Sequence, residues 1–170
     1  MRYFVKKIVL LVALSVATIA VGYAQGSSEV ELKIKELVKK YDSVKGVDCM
    51  TVVKGGGLEM VKLMFNKQFG KDFMRGVKSI TIIGYSEASI DVCQALHKEM
   101  DIFQTCLKEF NLEQNKELSS HGYIRTFALP IDDRTISDFL IAMEDEGVKM
   151  IVYMAGEIRV EEQDKEAKSN

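Results

Sequence analysis

Two apolar stretches near the C-terminus, Ile136–Glu144 and Val148–Ala155, are separated by Asp145-Glu146-Gly147. That pattern limits the folds open to the chain. The second stretch is β-branched and aromatic at Ile151, Val152 and Tyr153, and reads as a strand. The first is ambiguous, because Ile136, Phe139, Leu140 and Met143 also fit one face of a helix. The connection tips it toward a strand: a three-residue loop ending in glycine closes an antiparallel hairpin, with glycine at the left-handed position. Upstream, Tyr123–Leu129 alternates, and Pro130-Ile131-Asp132-Asp133 supplies a turn. The last third is therefore expected to be a β-meander.

The middle of the chain alternates helix and strand. Ser28 and Glu31 have capping-box spacing and open a helix with Val30, Ile34, Leu37, Val38 and Tyr41 on one face. Val47–Val53 follows as a strand. Gly55-Gly56-Gly57 turns into a second amphipathic helix marked by Leu58, Val61, Met64, Phe65 and Phe69, with Gly70 and Gly76 as places for it to end or break. Lys78–Tyr85 reads as a central strand through Ile80, Ile82 and Ile83. Ser86 or Ser89 is expected to cap the longest helix. Its stripe of Cys93, Leu96, Met100, Phe103, Leu107 and Phe110 steps by three and four over about five turns. A helix lying across a sheet explains that stripe better than a heptad coiled coil. Asn111–Ser120 is polar and loop-like, and from Glu161 the chain is polar and expected to fray.

The N-terminus carries an address. Arg2, Lys6 and Lys7 precede an uncharged apolar run from Ile8 to Val21, followed by Gly22-Tyr23-Ala24. This is the layout of a secretory signal peptide, with cleavage expected at Ala24/Gln25. The run is shorter than the roughly 20 residues that usually span a bilayer, and no charged stop-transfer block follows it. The first cysteine is Cys49, too distant for a lipoprotein anchor. Removing three of the 23 basic residues leaves 20 against 25 acidic ones, so the net charge moves from −2 to −5. A mildly acidic domain has no general attraction for nucleic acid or anionic lipid. Three cysteines, Cys49, Cys93 and Cys106, rule out complete intramolecular pairing. Cys93 and Cys106, placed on one helix, would stand about 20 Å apart, too far to bridge. Cys49 pairs with either only if the fold brings them together, and buried free thiols are the default expectation.

An exported chain ordered helix, strand, helix, strand, helix and meander, ending ISDFLIAMEDEGVKMIVYMAGEI, resembles domain-of-unknown-function family 4252. That family consists of small exported proteins of Bacteroides-type Gram-negative bacteria. The likeness covers Val30 to Ile158 and rests on element order and the terminal hairpin with its closing Ala155-Gly156-Glu157-Ile158. It implies a strand for Ile136–Glu144. It implies no activity, since none is assigned to the family, and no catalytic residue.

Chemistry-bearing groups are sparse. Gly55-Gly56-Gly57 lacks the lysine and hydroxyl of a phosphate loop and reads as a plain turn. His97 and Asp101 are four apart and can share a helix face, but two ligands do not make a metal site. Of nine methionines, Met60 and Met64 lie one helical turn apart and Met150 and Met154 share a strand face. With Cys49-Met50 they raise the thought of Cu(I), against the plainer reading of methionine as gap filler. Ser119-Ser120-His121 is a polar loop more than a nucleophile elbow, and Asp132-Asp133, Asp145-Glu146 and Glu161-Glu162 sit at turns or in the tail. No general acid and base face one cleft.

The expectation is a single α+β domain with an antiparallel-rich sheet of about five strands, helices packed on one face and a C-terminal β-meander. Its segments are a signal peptide (1–24), a flexible start (25–29), the domain (30–158) and a polar tail (159–170). No catalytic, cofactor-binding or metal residue is assigned, and no cofactor. The leading functional expectation is an exported, non-catalytic envelope protein that binds or senses through an open sheet face or an edge strand. An envelope protein is the expected partner, with no nucleic acid and no membrane anchor after cleavage. The alternatives are an exported hydrolase centred on His97 or His121, and a soft-metal (copper) carrier.

Overall fold

A computed structural model describes residues 27–53, 55–69, 71–110, 123–145 and 147–159. The expected signal peptide, the polar stretch Asn111–Ser120 and the expected tail beyond Arg159 lie outside the described residues, whereas residues 27–29 of the expected flexible start are helical and Arg159 of the expected tail ends a strand. The elements run α1 (Ser27–Tyr41), β1 (Asp48–Val53), α2 (Gly56–Phe69), β2 (Gly76–Gly84) and α3 (Ile90–Glu99), then β3 (Lys108–Phe110), β4 (Tyr123–Pro130), β5 (Thr135–Asp145) and β6 (Val148–Arg159). They form an α+β fold around one six-stranded sheet, in the order β1-β2-β6-β5-β4-β3, antiparallel throughout.

The ambiguous stretch is a strand, and it is central. β5 is buried at every residue except half-buried Glu144, and a strand flanked on both sides and covered on both faces is accordingly apolar over its middle, Phe139–Met143. Asp145 pairs with Val148 across the β5–β6 connection, and Gly147 turns it at φ 82°. Two residues thus separate the paired ends, one fewer than the loop read from sequence.

Strand alternation divides the core in two. Leu140 and Ala142 of β5, with Ile151, Tyr153 and Ala155 of β6, point into a cluster covered by α1 (Val30, Ile34, Leu37, Tyr41) and α3 (Cys93, Leu96). Phe139 and Ile141, with Val152 and Met154, point the other way. There Leu58 of α2 covers them, with Phe73 and Met74 of the following turn and partly buried Val61 packed alongside. Two helices therefore lie on one face and the third on the opposite face. This corrects the expectation of one-sided packing and of a sheet face left open. The apolar stripe of α2 requires that it cover a sheet, but leaves open which face it covers.

The long stripe also resolves differently. α3 ends at Glu99, the chain tightens into 3₁₀ turns over Met100–Thr105, and Lys108–Phe110 becomes β3. Cys93, Leu96, Met100, Phe103 and Leu107 all reach the first cluster, so the spacing reported burial while the backbone changed form. Cys93 and Cys106 accordingly do not share one helix, and all three cysteines are free. β3 is the strand missing from the expected count. Ser89 occupies the N-cap of α3 without a side-chain cap bond, whereas Ser86 Oγ accepts the Lys149 amide at 2.9 Å.

Candidate functional site

The β5 sequence Ile136-Ser137-Asp138-Phe139 sets two polar residues in an otherwise apolar run. The chain accommodates them with a bulge, as the register against β6 shifts between Ser137 and Phe139. Asp138 takes φ +49°, the one positive-φ non-glycine among the described residues, and is 0% exposed. The Ser137 hydroxyl donates to its Oδ2 at 3.0 Å, and the Tyr153 hydroxyl donates to its Oδ1 at 2.5 Å. Burial, followed by this bond to the carboxyl group, pushes the Tyr153 phenol well above its usual range, so its proton stays in place. A carboxyl group inside a core costs several kcal/mol unless donors meet it. A left-handed non-glycine residue adds about 1–3 kcal/mol. Core stability by itself does not favour paying for both at one position.

Tyr153 also lines a cavity of ≈ 290 Å³ between α1 and the β1–β2 pair. Ile34 and Val38 of α1 face Thr51 and Val53 of β1 and Ser79 and Thr81 of β2, with Glu31, Lys35, Lys39 and Asp42 also on the α1 side. The alternation that sends Ile80 and Ile82 to the second cluster turns Ser79 and Thr81 toward this groove. Thr51 and Thr81 are register partners, and their hydroxyls lie 3.1 Å apart. The groove thus combines apolar walls, a hydroxyl pair and charges of both signs. Its described lining residues include no histidine and no thiol. Such a set binds and orients a molecule without supplying a nucleophile–base pair.

The spacing candidates His97 and Asp101 occupy the other end of the same face, where both line one broad depression but each bonds to a different partner. His97 Nε2 lies 2.8 Å from Glu144 Oε1, and the Tyr85 ring meets the imidazole edge-on at 6.4 Å between centroids. Lys149, the register partner of Glu144, places its Nζ 3.9 Å from Glu144 Oε2 and donates to Cys93 Sγ at 3.3 Å. Cys93 and His97, four apart on α3, thereby tie the helix to the turn end of the β5–β6 hairpin. Asp101 instead binds Arg125 at 2.7 Å, and Arg125 also grips Glu109 at 2.6 and 2.9 Å while stacking on Phe127. The Arg125 bonds hold the Glu109 carboxyl below the usual carboxylate range. Around His97 and Arg125 the surface is a broad depression of ≈ 620 Å³. Among the described residues no three His, Cys, Asp or Glu side chains converge as a metal set would.

The remaining candidates scatter. Met60 is exposed at the surface of α2, Met150 and Met154 belong to the second cluster, and the Met64 side chain lies outside the described set. Cys49 packs on the first cluster while its neighbour Met50 is exposed. Burial pushes the Cys49 and Cys106 thiols up. Gly56 and Gly57 begin α2, with Gly55 O accepting the Glu59 amide. Asp132 closes its own turn by accepting the Arg134 amide at 2.8 Å. Ser119, Ser120, His121, Glu146, Glu161 and Glu162 lie outside the described residues. Sequence reasoning missed Asp138 and Tyr153; the available signal was the polar Ser137-Asp138 pair inside a buried apolar strand. No known family model, curated protein or solved structure matches the chain.

Proposed function

We propose that the chain is an exported, non-catalytic binding module of the bacterial envelope, and that its ligand occupies the groove beneath α1. The observation that carries this reading is the groove itself. A cavity of ≈ 290 Å³ with apolar walls and paired threonine hydroxyls ends on a tyrosine fixed by a strained, buried aspartate. Its size is near the lower end of the roughly 300–1,000 Å³ range of small-molecule sites. It suits a small amphiphile, or one side chain of an envelope protein, with an apolar body and a hydrogen-bonding group. Residues 1–24 support export, and the likeness to domain-of-unknown-function family 4252 belongs to the same reading.

The test is an NMR titration with small amphiphiles. Amide shifts at Thr51, Ser79, Thr81 and Tyr153 are expected, with affinity lost in a Thr81→Val variant that keeps its fold. Binding that maps to other residues, or no binding from a broad panel, overturns the groove. N-terminal sequencing of the envelope fraction tests export, with Gln25 expected first. The His97–Glu144 contact favours a second reading, an exported hydrolase. Replacing His97 and His121 by alanine with no loss of activity across a substrate panel would sink it.

A further inference from the structure

The two edges of the sheet differ in a way that points to an assembly. β3, at one edge, has three described residues and carries Lys108 and Glu109, the latter locked to Arg125. Short edge strands with charged side chains are how monomeric proteins block edge-to-edge pairing. β1, at the opposite edge, has six residues and runs in unbroken register with β2 from Asp48 to Val53. Among the described residues it pairs with β2 only. It contains no lysine, proline or bulge, and its single charge is Asp48 at one end. Met50 and Val53 stand 53% and 61% exposed along it, and α2, packed beside β1, adds exposed Met60 and Leu63.

We infer that β1 is the seam of a homodimer, pairing antiparallel with β1 of a second copy about a two-fold axis through Thr51. The occupant follows from the sequence of the strand. That register sets Cys49 against Val53 of the second copy and Met50 against its Val52, so every described cross-strand pair but the central threonines is apolar. Such pairs are the unit of sheet stabilisation. It also keeps the two Asp48 carboxylates about 20 Å apart, six residues at 3.4 Å. They are then separated by more than the screening length of about 8 Å at physiological salt. Parallel in-register pairing would instead set Asp48 against Asp48. An axis perpendicular to the sheet preserves its faces. The dimer therefore holds a continuous twelve-stranded sheet with both α1 grooves on one side. Thr51 and Val53 of the seam also line the groove, so the dimer is read from molar mass and cross-linking, neither of which requires a groove ligand.

The experiment is molar-mass measurement of the full exported chain over a concentration series in reducing buffer, joined to cysteine cross-linking. Twice the chain mass is expected at the upper concentrations. A Met50→Lys, Val53→Lys variant is expected to weaken dimerisation by about a hundredfold or more, because each lysine then faces an apolar residue of the second copy and the two at position 50 become diagonal neighbours across the seam. In a Cys49→Ser background, Thr51→Cys is expected to give a symmetric disulfide dimer, since directly opposed residues lie about 4.5–5.5 Å apart at Cα. This readout stands even if the lysine variant fails to fold. A single-chain mass at all concentrations overturns the proposal, including when a foreign extended peptide adds to β1. So does a dimer that cross-links from cysteine at Glu109 but not at Thr51.

Discussion

Asp138 and Tyr153 show how one polar residue can reorganise an apolar strand. With two hydroxyl donors described for a fully buried carboxyl group, each donor matters. Tyr153→Phe removes one and should cost about 1–3 kcal/mol in urea unfolding, the usual penalty for an under-satisfied buried acceptor. Asp138→Asn keeps an acceptor and a residue type that tolerates the left-handed region, so it should fold, whereas β-branched Asp138→Val should be far less stable. The Tyr153 phenol also gives stability a pH dependence. Its folded-state value is raised above the ordinary 10.0, so its contribution is fully present below pH 10 and drains away as pH rises beyond it. Glu29 and Glu99 hold the Lys33 and Lys40 ammonium groups above their ordinary value, so other groups also contribute on the alkaline side. The comparison that isolates Tyr153 is therefore between wild type and Tyr153→Phe, whose alkaline loss of stability should be shallower.

At the scale of elements, irregularities fix where strands meet. Gly156 of β6 has φ 103°, and a Cβ there would stand 2.3 Å from the Gly76 carbonyl oxygen, where β2 shifts register. Gly156→Ala should therefore cost several kcal/mol, seen as a lower thermal midpoint, because both backbone strain and a backbone clash resist it. β3 depends on a different device, the two bonds from Arg125 to Glu109. The Glu109 carboxyl is held below its ordinary 4.5, so its contribution is present above that value and lost as pH falls through the folded-state value. Glu109→Gln should cost about 1 kcal/mol at neutral pH, reduce the acid-side loss, and speed amide exchange in β3 before β5.

For the whole molecule, one sheet serves two clusters, and neighbouring residues belong to different ones. Leu140 and Ile141 are each 0% exposed, the first facing α1 and α3, the second the side covered by α2. Each change to alanine should cost about 2–5 kcal/mol. Since the clusters share β5 and β6, the double variant should still unfold in one transition, and because the two residues share a peptide unit their costs are expected to couple rather than simply add. Two separated transitions in denaturant would show that the two layers fold independently.

The sequence by itself determined which stretches are buried and most of their conformations. Apolar periodicity is a local consequence of burial, so the α1 face, the β2 run and the Val148–Ala155 strand could be read directly, and the loop ending in Gly147 marked the hairpin. Only the tertiary structure decided the side of the sheet that α2 covers, because an amphipathic stripe has no preference between two apolar faces. It also decided that the stripe from Cys93 to Leu107 would leave the helix after Glu99, since 3₁₀ turns keep a similar spacing of buried residues. β3 needed its partner β4 to exist, and three residues carry no period of their own. Asp138 and Tyr153 are fifteen positions apart; no local rule joins them, and their contact arises from the pairing of β5 with β6.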